Sequence, residues 1–122
     1  MPREQSDVSY LWDMLEYSRS VREMVQGRTY EEYLRDRQFR WAVERCIELI
    51  GESARNVSRA CQDSQPHIPW QKIVAQRHVL AHEYGEIKHE RIWVVATAHV
   101  PALIAQLEPL VPPPPPPPES EH

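Results

Sequence analysis

The chain has 122 residues, 41% hydrophobic and 26% charged, with a formal net charge of −4. That suits one folded domain with one core and argues against a protein living by unspecific phosphate contacts, which would be basic. Any contact with nucleic acid must be local, and no apolar run is long enough to span a bilayer.

Only three glycines occur and most of the twelve prolines sit in one terminal run, so the first hundred residues favour long helices. Met1 to Gln5 contain no apolar signal region, and a cytoplasmic location is expected. Ser6 or Asp7 can cap a first helix reaching about Gln26, stopped by Gly27. Its stripe holds Leu11, Met14, Val21 and Val25, widened by Val8, Trp12, Leu15 and Tyr17. So wide a surface fits a central bundle helix or one that also meets a second subunit. Thr29-Tyr30-Glu31-Glu32 spells a capping box, opening a short helix through about Leu34.

Asp36 can cap the longest helix, about Arg37 to Cys61, with Phe39, Val43, Cys46, Ile50, Ser53 and Val57 as its seam. Gly51 in its middle suggests a close helix crossing. Cys46 and Cys61 on one such helix stand roughly 22 Å apart, beyond disulfide reach, and read as small buried hydrophobes. Gln62 to Pro69 reads as a loop. A helix from about Trp70 to His82 follows, with Pro69 in its first turn and Gly85 as its break. The last helix runs from about His89 to Leu107 on Ile92, Trp93, Ala96, Val100, Leu103 and Leu107. Pro101 should kink it or remove one hydrogen bond. The seven prolines from Pro112 to Pro118 read as an extended tail, unstructured or a ligand for a proline-binding domain. The expected architecture is all-α: an antiparallel up-and-down bundle of four long helices plus one short one over residues 1–111, then a disordered tail over 112–122.

The chemistry concentrates in Arg77-His78-Val79-Leu80-Ala81-His82-Glu83-Tyr84. Arg77 falls within the stripe formed by Trp70, Ile73, Val74, Leu80, Ala81 and Tyr84, and an arginine there needs an anion. A structural ion pair with Glu44 or Glu48 would satisfy it; so would a phosphate, which its fork of donors suits. His82 lies roughly 140° around the helix from Arg77, so one copy cannot easily aim both at one point, whereas two facing copies could. His82 can move protons near neutral pH or simply face the helix dipole. His78 and His82 have a zinc-compatible spacing, but a third ligand is missing and no metal site is expected; His78 lines a cleft or faces solvent. Glu83 and Glu86 either tune a histidine or are solvated. Trp12, Trp41, Trp70 and Trp93 fit helical stripes as core residues better than they fit base stacking.

The spacing Arg77-x4-His82-x-Tyr84 resembles the signature of the HEPN ribonucleases, specifically the HepT-like (DUF86) toxins. His78 fits the polar residue that usually follows the arginine. Arg40 to Ala54 resembles the family's central helix, and Ile68-Pro69-Trp70-Gln71-Lys72-Ile73 resembles the segment opening the motif helix. The likeness covers about residues 6 to 110. The aspartate often found shortly after the tyrosine is absent from Gly85-Glu86-Ile87-Lys88. The resemblance implies a HEPN-like fold and a metal-independent endoribonuclease toxin of a toxin–antitoxin system, without a cofactor. It implies Arg77 and His82 as catalytic residues in a site shared across a homodimer, RNA as substrate, and 2′-hydroxyl attack as the mechanism. It also implies AMP transfer to Tyr84 by an MNT-type nucleotidyltransferase antitoxin, although Tyr84 reads equally as a core aromatic. The alternative is a non-catalytic HEPN module that holds a nucleotide or a partner in the same cleft.

Overall fold

The computed structural model describes residues 6–81 and 89–113, the side chains of 77–81 excepted. Among these residues every regular element is helical: α1 Asp7–Val25, α2 Tyr30–Arg35, α3 Arg37–Asn56, α4 Arg59–Ser64, α5 Trp70–Ala81, α6 His89–Val94 and α7 Val100–Leu107, with a wide turn Val95–His99 joining the last two. No helix among them is long and apolar enough to cross a membrane. The proline run beyond Pro113 lies outside the described residues.

The helix starts are written in side chains. Ser6 Oγ accepts from Ser9 N–H at 3.2 Å and opens α1, which ends at Val25, two residues before Gly27, whose φ of 74° suits a residue without Cβ. Thr29 and Glu32 complete the expected capping box at α2. Asp36 both closes α2 and caps α3, accepting from Phe39 N–H at 3.1 Å. Arg40 reaches back to donate to the Leu34 carbonyl at 2.7 Å, satisfying the open end of α2.

The long third helix is shorter than its pattern predicts. It stops at Asn56, Val57 turns extended and buries itself, and Ser58 caps a separate α4. The cause is tertiary. The Ser58 N–H and hydroxyl both donate to Asp7, at 2.8 and 2.7 Å, tying this corner to the start of α1. Cys46 and Cys61 therefore stand on different helices, both half-buried and both free; burial pushes each thiol above its ordinary range. The stretch expected to be a loop begins as the end of α4, leaving residues 65–69 as the connection.

The Ser58 bonds hold the Asp7 carboxyl below the usual carboxylate range. A group depressed on folding stabilises above its unfolded pKa, and the contribution disappears as pH falls through the folded value. Asp7→Asn is accordingly expected to cost stability at pH 7, on the order of 1 kcal/mol, and nothing in strong acid. Urea melts of both proteins at the two pH values check this.

The four long segments form an up-and-down bundle. α1 packs on α3 and α7, and α3 on α5, while Gln106 Nε2 donates to the His67 carbonyl just before α5. The core between them contains Leu11, Met14, Leu15, Val21, Val43, Ile47, Ile50, Ile92, Ala96, Val100, Leu103 and Leu107. α1 is thus a central helix flanked on two sides, although Val8 remains exposed. Trp70 is buried, and Trp12 and Trp93 pack partly buried against the core. Trp41 departs from expectation: it is 56% exposed, with Arg37 5.5 Å above its ring.

The last helix meets Pro101 with a wide turn rather than a break. Proline has no N–H, and its ring crowds the carbonyl four residues back. Val95–His99 winds as a π-helix, and the Val100 N–H bonds to the Val95 carbonyl. The Thr97 hydroxyl donates to the Trp93 carbonyl at 2.8 Å. Ile92, Ala96 and Val100 are all buried, although two steps of four would drift a regular helix by about 80°; the extra residue in the turn absorbs the drift.

Candidate active site

α5 owes its start to Pro69 and to Trp70, whose indole N–H donates to the Gln65 carbonyl at 3.0 Å. The helix then carries Arg77 and His78 in its C-terminal half. The side chains of Arg77 and His78, and His82 and Tyr84 altogether, lie outside the described residues, as do Glu83, Gly85 and Glu86.

The surroundings of this half-helix are well defined. Ile73 and Gln76 share the wall of a cavity of about 50 Å³ with Ile47 and Ile50 of α3 and with Val95 and Leu103. Gln76 Oε1, one residue before the arginine, is buried there without a hydrogen-bond partner among the described residues. Because α3 and α5 run antiparallel, stepping back along α3 from Ile47 leads towards the C-terminal end of α5. Glu44 lies on that path, and Glu48 one residue the other way from Ile47; these are the two carboxylates expected as possible partners of Arg77. Glu48 accepts from Arg45 at 2.8 Å.

Glu44 sits in a more enclosed setting, its side chain 12% exposed. Its Oε2 accepts the Tyr33 hydroxyl at 2.8 Å and lies 3.5 Å from His89 Nδ1. That second contact brings the two groups together without an aligned hydrogen bond. The His89 ring also stands edge-on to Tyr33, centroids 5.9 Å apart. Burial first, and then the Glu44 bond, push the Tyr33 hydroxyl far above the ordinary phenol range, so it stays a donor. Tyr33 is fully buried among Phe39, Trp93, Tyr30 and His89, with the Trp93 ring at 5.2 Å. Sequence reading treats Glu44 only as a possible partner for Arg77 and His89 only as a helix start. No spacing rule links residues 33, 44 and 89, because three separate elements bring them together.

Among the described residues no group of three His, Cys, Asp or Glu side chains could hold a metal ion.

An up-and-down helical bundle whose sequence carries an Arg-x4-His-x-Tyr run defines a class of small all-α proteins. The chain belongs to the ribonuclease HepT-like family, whose pattern it matches over residues 14–110. Among its relatives, a protein of Methanocaldococcus jannaschii named provisionally as an RNase is 30% identical over 100 residues, 82% of this chain and 92% of that one. A protein of Thermococcus cleftensis named provisionally as ribonuclease HepT is 28% identical over 107 residues, 88% and 97% of the two chains. One from Caldanaerobacter subterraneus, also named provisionally as an RNase, is 28% identical over 102 residues, 84% and 91%. No solved structure matches the chain significantly.

Proposed function

We propose that this chain is a metal-independent endoribonuclease, the toxin of a cytoplasmic toxin–antitoxin pair, acting as a homodimer. The observation that carries the reading is the family match, which spans the Arg77-x4-His82-x-Tyr84 run and nearly all of the bundle. The relatives' names support RNA as the substrate.

In this mechanism Arg77 grips the scissile phosphate through its planar fork of donors. The ribose 2′-hydroxyl attacks phosphorus, and His82 of one subunit takes its proton. The phosphorus–O5′ bond breaks, and the second subunit's copy of His82 protonates the leaving oxygen. Water is not consumed, and the products are a 2′,3′-cyclic phosphate and a 5′-hydroxyl. The two arginines offset the charge that builds on the phosphorane oxygens. His78 lines the cleft. Tyr84 is the acceptor for AMP from a nucleotidyltransferase antitoxin; the added phosphate charge beside Arg77 and His82 would occupy the place of the RNA. A net charge of −4 is compatible with this when the basic groups gather only at the seam.

The purified wild type is expected to cleave single-stranded RNA in EDTA and leave cyclic-phosphate ends, resolved by mass spectrometry. Incubated with ATP and its cognate nucleotidyltransferase, it should gain mass in steps of one AMP and lose activity. A protein that binds nucleotide but leaves RNA intact under all conditions would instead be the non-catalytic HEPN module.

A further inference from the structure

Of the two aromatic residues on α3, Phe39 is buried and Trp41 is 56% exposed. A single exposed apolar side chain is ordinary, so its surroundings have to decide whether it has a use. Arg37, one turn earlier, holds its guanidinium 5.5 Å from the indole centroid, within cation–π range. Arg45, one turn later, is exposed and donates to Glu48 at 2.8 Å. Such a surface pair is worth under about 1 kcal/mol, so a phosphate can take that guanidinium over. Residues 37, 41 and 45 step by four and share one helix face. A recess of about 190 Å³ opens there, lined by Trp41, Glu44, Arg45 and Glu48.

Charge favours an anionic chain as the occupant. Residues 35–45 carry four arginines and two carboxylates, Asp36 and Glu44, an excess of +2 in a chain of net charge −4. Both carboxylates are occupied within the fold: Asp36 caps α3 and pairs with Arg28, and Glu44 accepts the Tyr33 hydroxyl. Arg37 has no ion pair among the described residues. A protein partner would also use tryptophan and arginine, but it needs a wider apolar area. The exposed residues beside Trp41 on α3 are Arg37, Gln38, Ala42 and Arg45. The place in the bundle fits as well. Trp41 stands six residues before Ile47, about 9 Å along the axis of α3. α3 and α5 are antiparallel, and Ile47 shares a cavity wall with Ile73 and Gln76, so this step leads towards the C-terminal half of α5.

We infer that Trp41, flanked by Arg37 and Arg45, is a binding subsite for single-stranded RNA. The indole stacks on one base, and the two guanidiniums hold the neighbouring phosphates. The carboxylates of the recess repel a phosphate and admit an uncharged base. Every base has a π-face, so the subsite grips the strand without selecting its sequence. The inference rests on RNA as the ligand proposed above, but not on its cleavage.

The probe is a short, fluorescein-labelled 2′-O-methyl RNA, which cannot be cut by attack of its own 2′-oxygen; binding is followed by anisotropy. Trp41→Ala is expected to raise Kd about 5- to 150-fold, the range for losing one aromatic–base stack, and Trp41→Phe much less. Arg37→Gln and Arg45→Gln should each weaken binding and make the dependence of log Kd on log salt shallower by about 0.7, as for one phosphate contact on a single strand. Trp41→Ala removes no charge and should leave that slope unchanged. Arg59→Gln, the same loss of charge beyond the other end of α3, should alter neither quantity. Melting temperatures should stay near wild type, since all these side chains are on the surface. A wild type that does not bind the probe would overturn the inference, as would Trp41→Ala binding it as tightly as wild type. So would Trp41→Ala chains that elute as monomers where wild type elutes as a dimer, because the face would then be a contact between copies. Trp41-dependent binding by a protein that never cuts RNA would keep the subsite and remove the ribonuclease reading. Cleavage by Trp41→Ala with the wild-type KM would do the reverse.

Discussion

His82→Ala is expected to lower kcat for RNA cleavage by about 10²–10⁴-fold, the usual range for losing a positioned general acid–base group. The loss should fall on kcat rather than KM, because proton transfer is a demand of the transition state and not of binding. The control is a companion His78→Ala, whose effect should be far smaller if that imidazole only lines the cleft. Circular dichroism and melting temperature must stay at wild-type values in both. Because the proposed site takes one His82 from each subunit, a mixture of wild-type and His82→Ala chains gives a sharper reading. Mixed dimers should be as slow as the variant when both imidazoles are needed, and half as fast as wild type when each subunit works alone. Single-turnover cleavage in EDTA on chains mixed after denaturation and refolding distinguishes the two.

Tyr33→Ala should be the most damaging single change to stability among the described residues, costing about 3–5 kcal/mol as for other buried aromatics. Against a total of about 5–15 kcal/mol for a typical domain, that is a fifth or more. Tyr33 is fully buried, and it is the only buried side chain of the six-residue α2, so that helix has little else to hold it on the bundle. Its ring meets Phe39 edge-on with centroids 6.1 Å apart and Trp93 at 5.2 Å. Tyr33→Phe keeps the rings and removes only the hydroxyl, which leaves the Glu44 carboxylate without its donor at a cost of about 1–3 kcal/mol. Urea unfolding followed by tryptophan fluorescence should rank wild type above Phe and Phe above Ala. A Phe variant as stable as wild type would mean that solvent replaces the donor at Glu44.

Where the chain writes its instructions locally, they can be read in advance. Ser6, Thr29 with Glu32, and Asp36 each lie at the helix start expected of them, because a cap is a bond between a side chain and a backbone N–H two or three residues on. The buried stripes of α1 and α3 follow for the same reason. The end of α3 does not. Val57 and Ser58 leave the helix because of Asp7, 51 positions away, and a period of 3.6 continues through them undisturbed. Trp41 lies on a face that only neighbours could have covered, and among the described residues only Arg37 reaches over its ring. At the site, the place of Arg77 on α5 was legible from apolar spacing, while the meeting of Tyr33, Glu44 and His89 was not, since it depends on how three elements pack.

The wide turn at Val95–His99 has a consequence for how chains of this kind can vary in length. Removing one residue from a regular helix swings everything beyond it by about 100°, which here would carry Leu103, Ile104 and Leu107 out of the interior. Residues 95–99 already hold one residue more than ordinary winding requires. A shorter cousin of this protein should therefore have lost its residue there, and should also have exchanged Pro101 for an amino acid with an N–H to offer, because the two features compensate for each other.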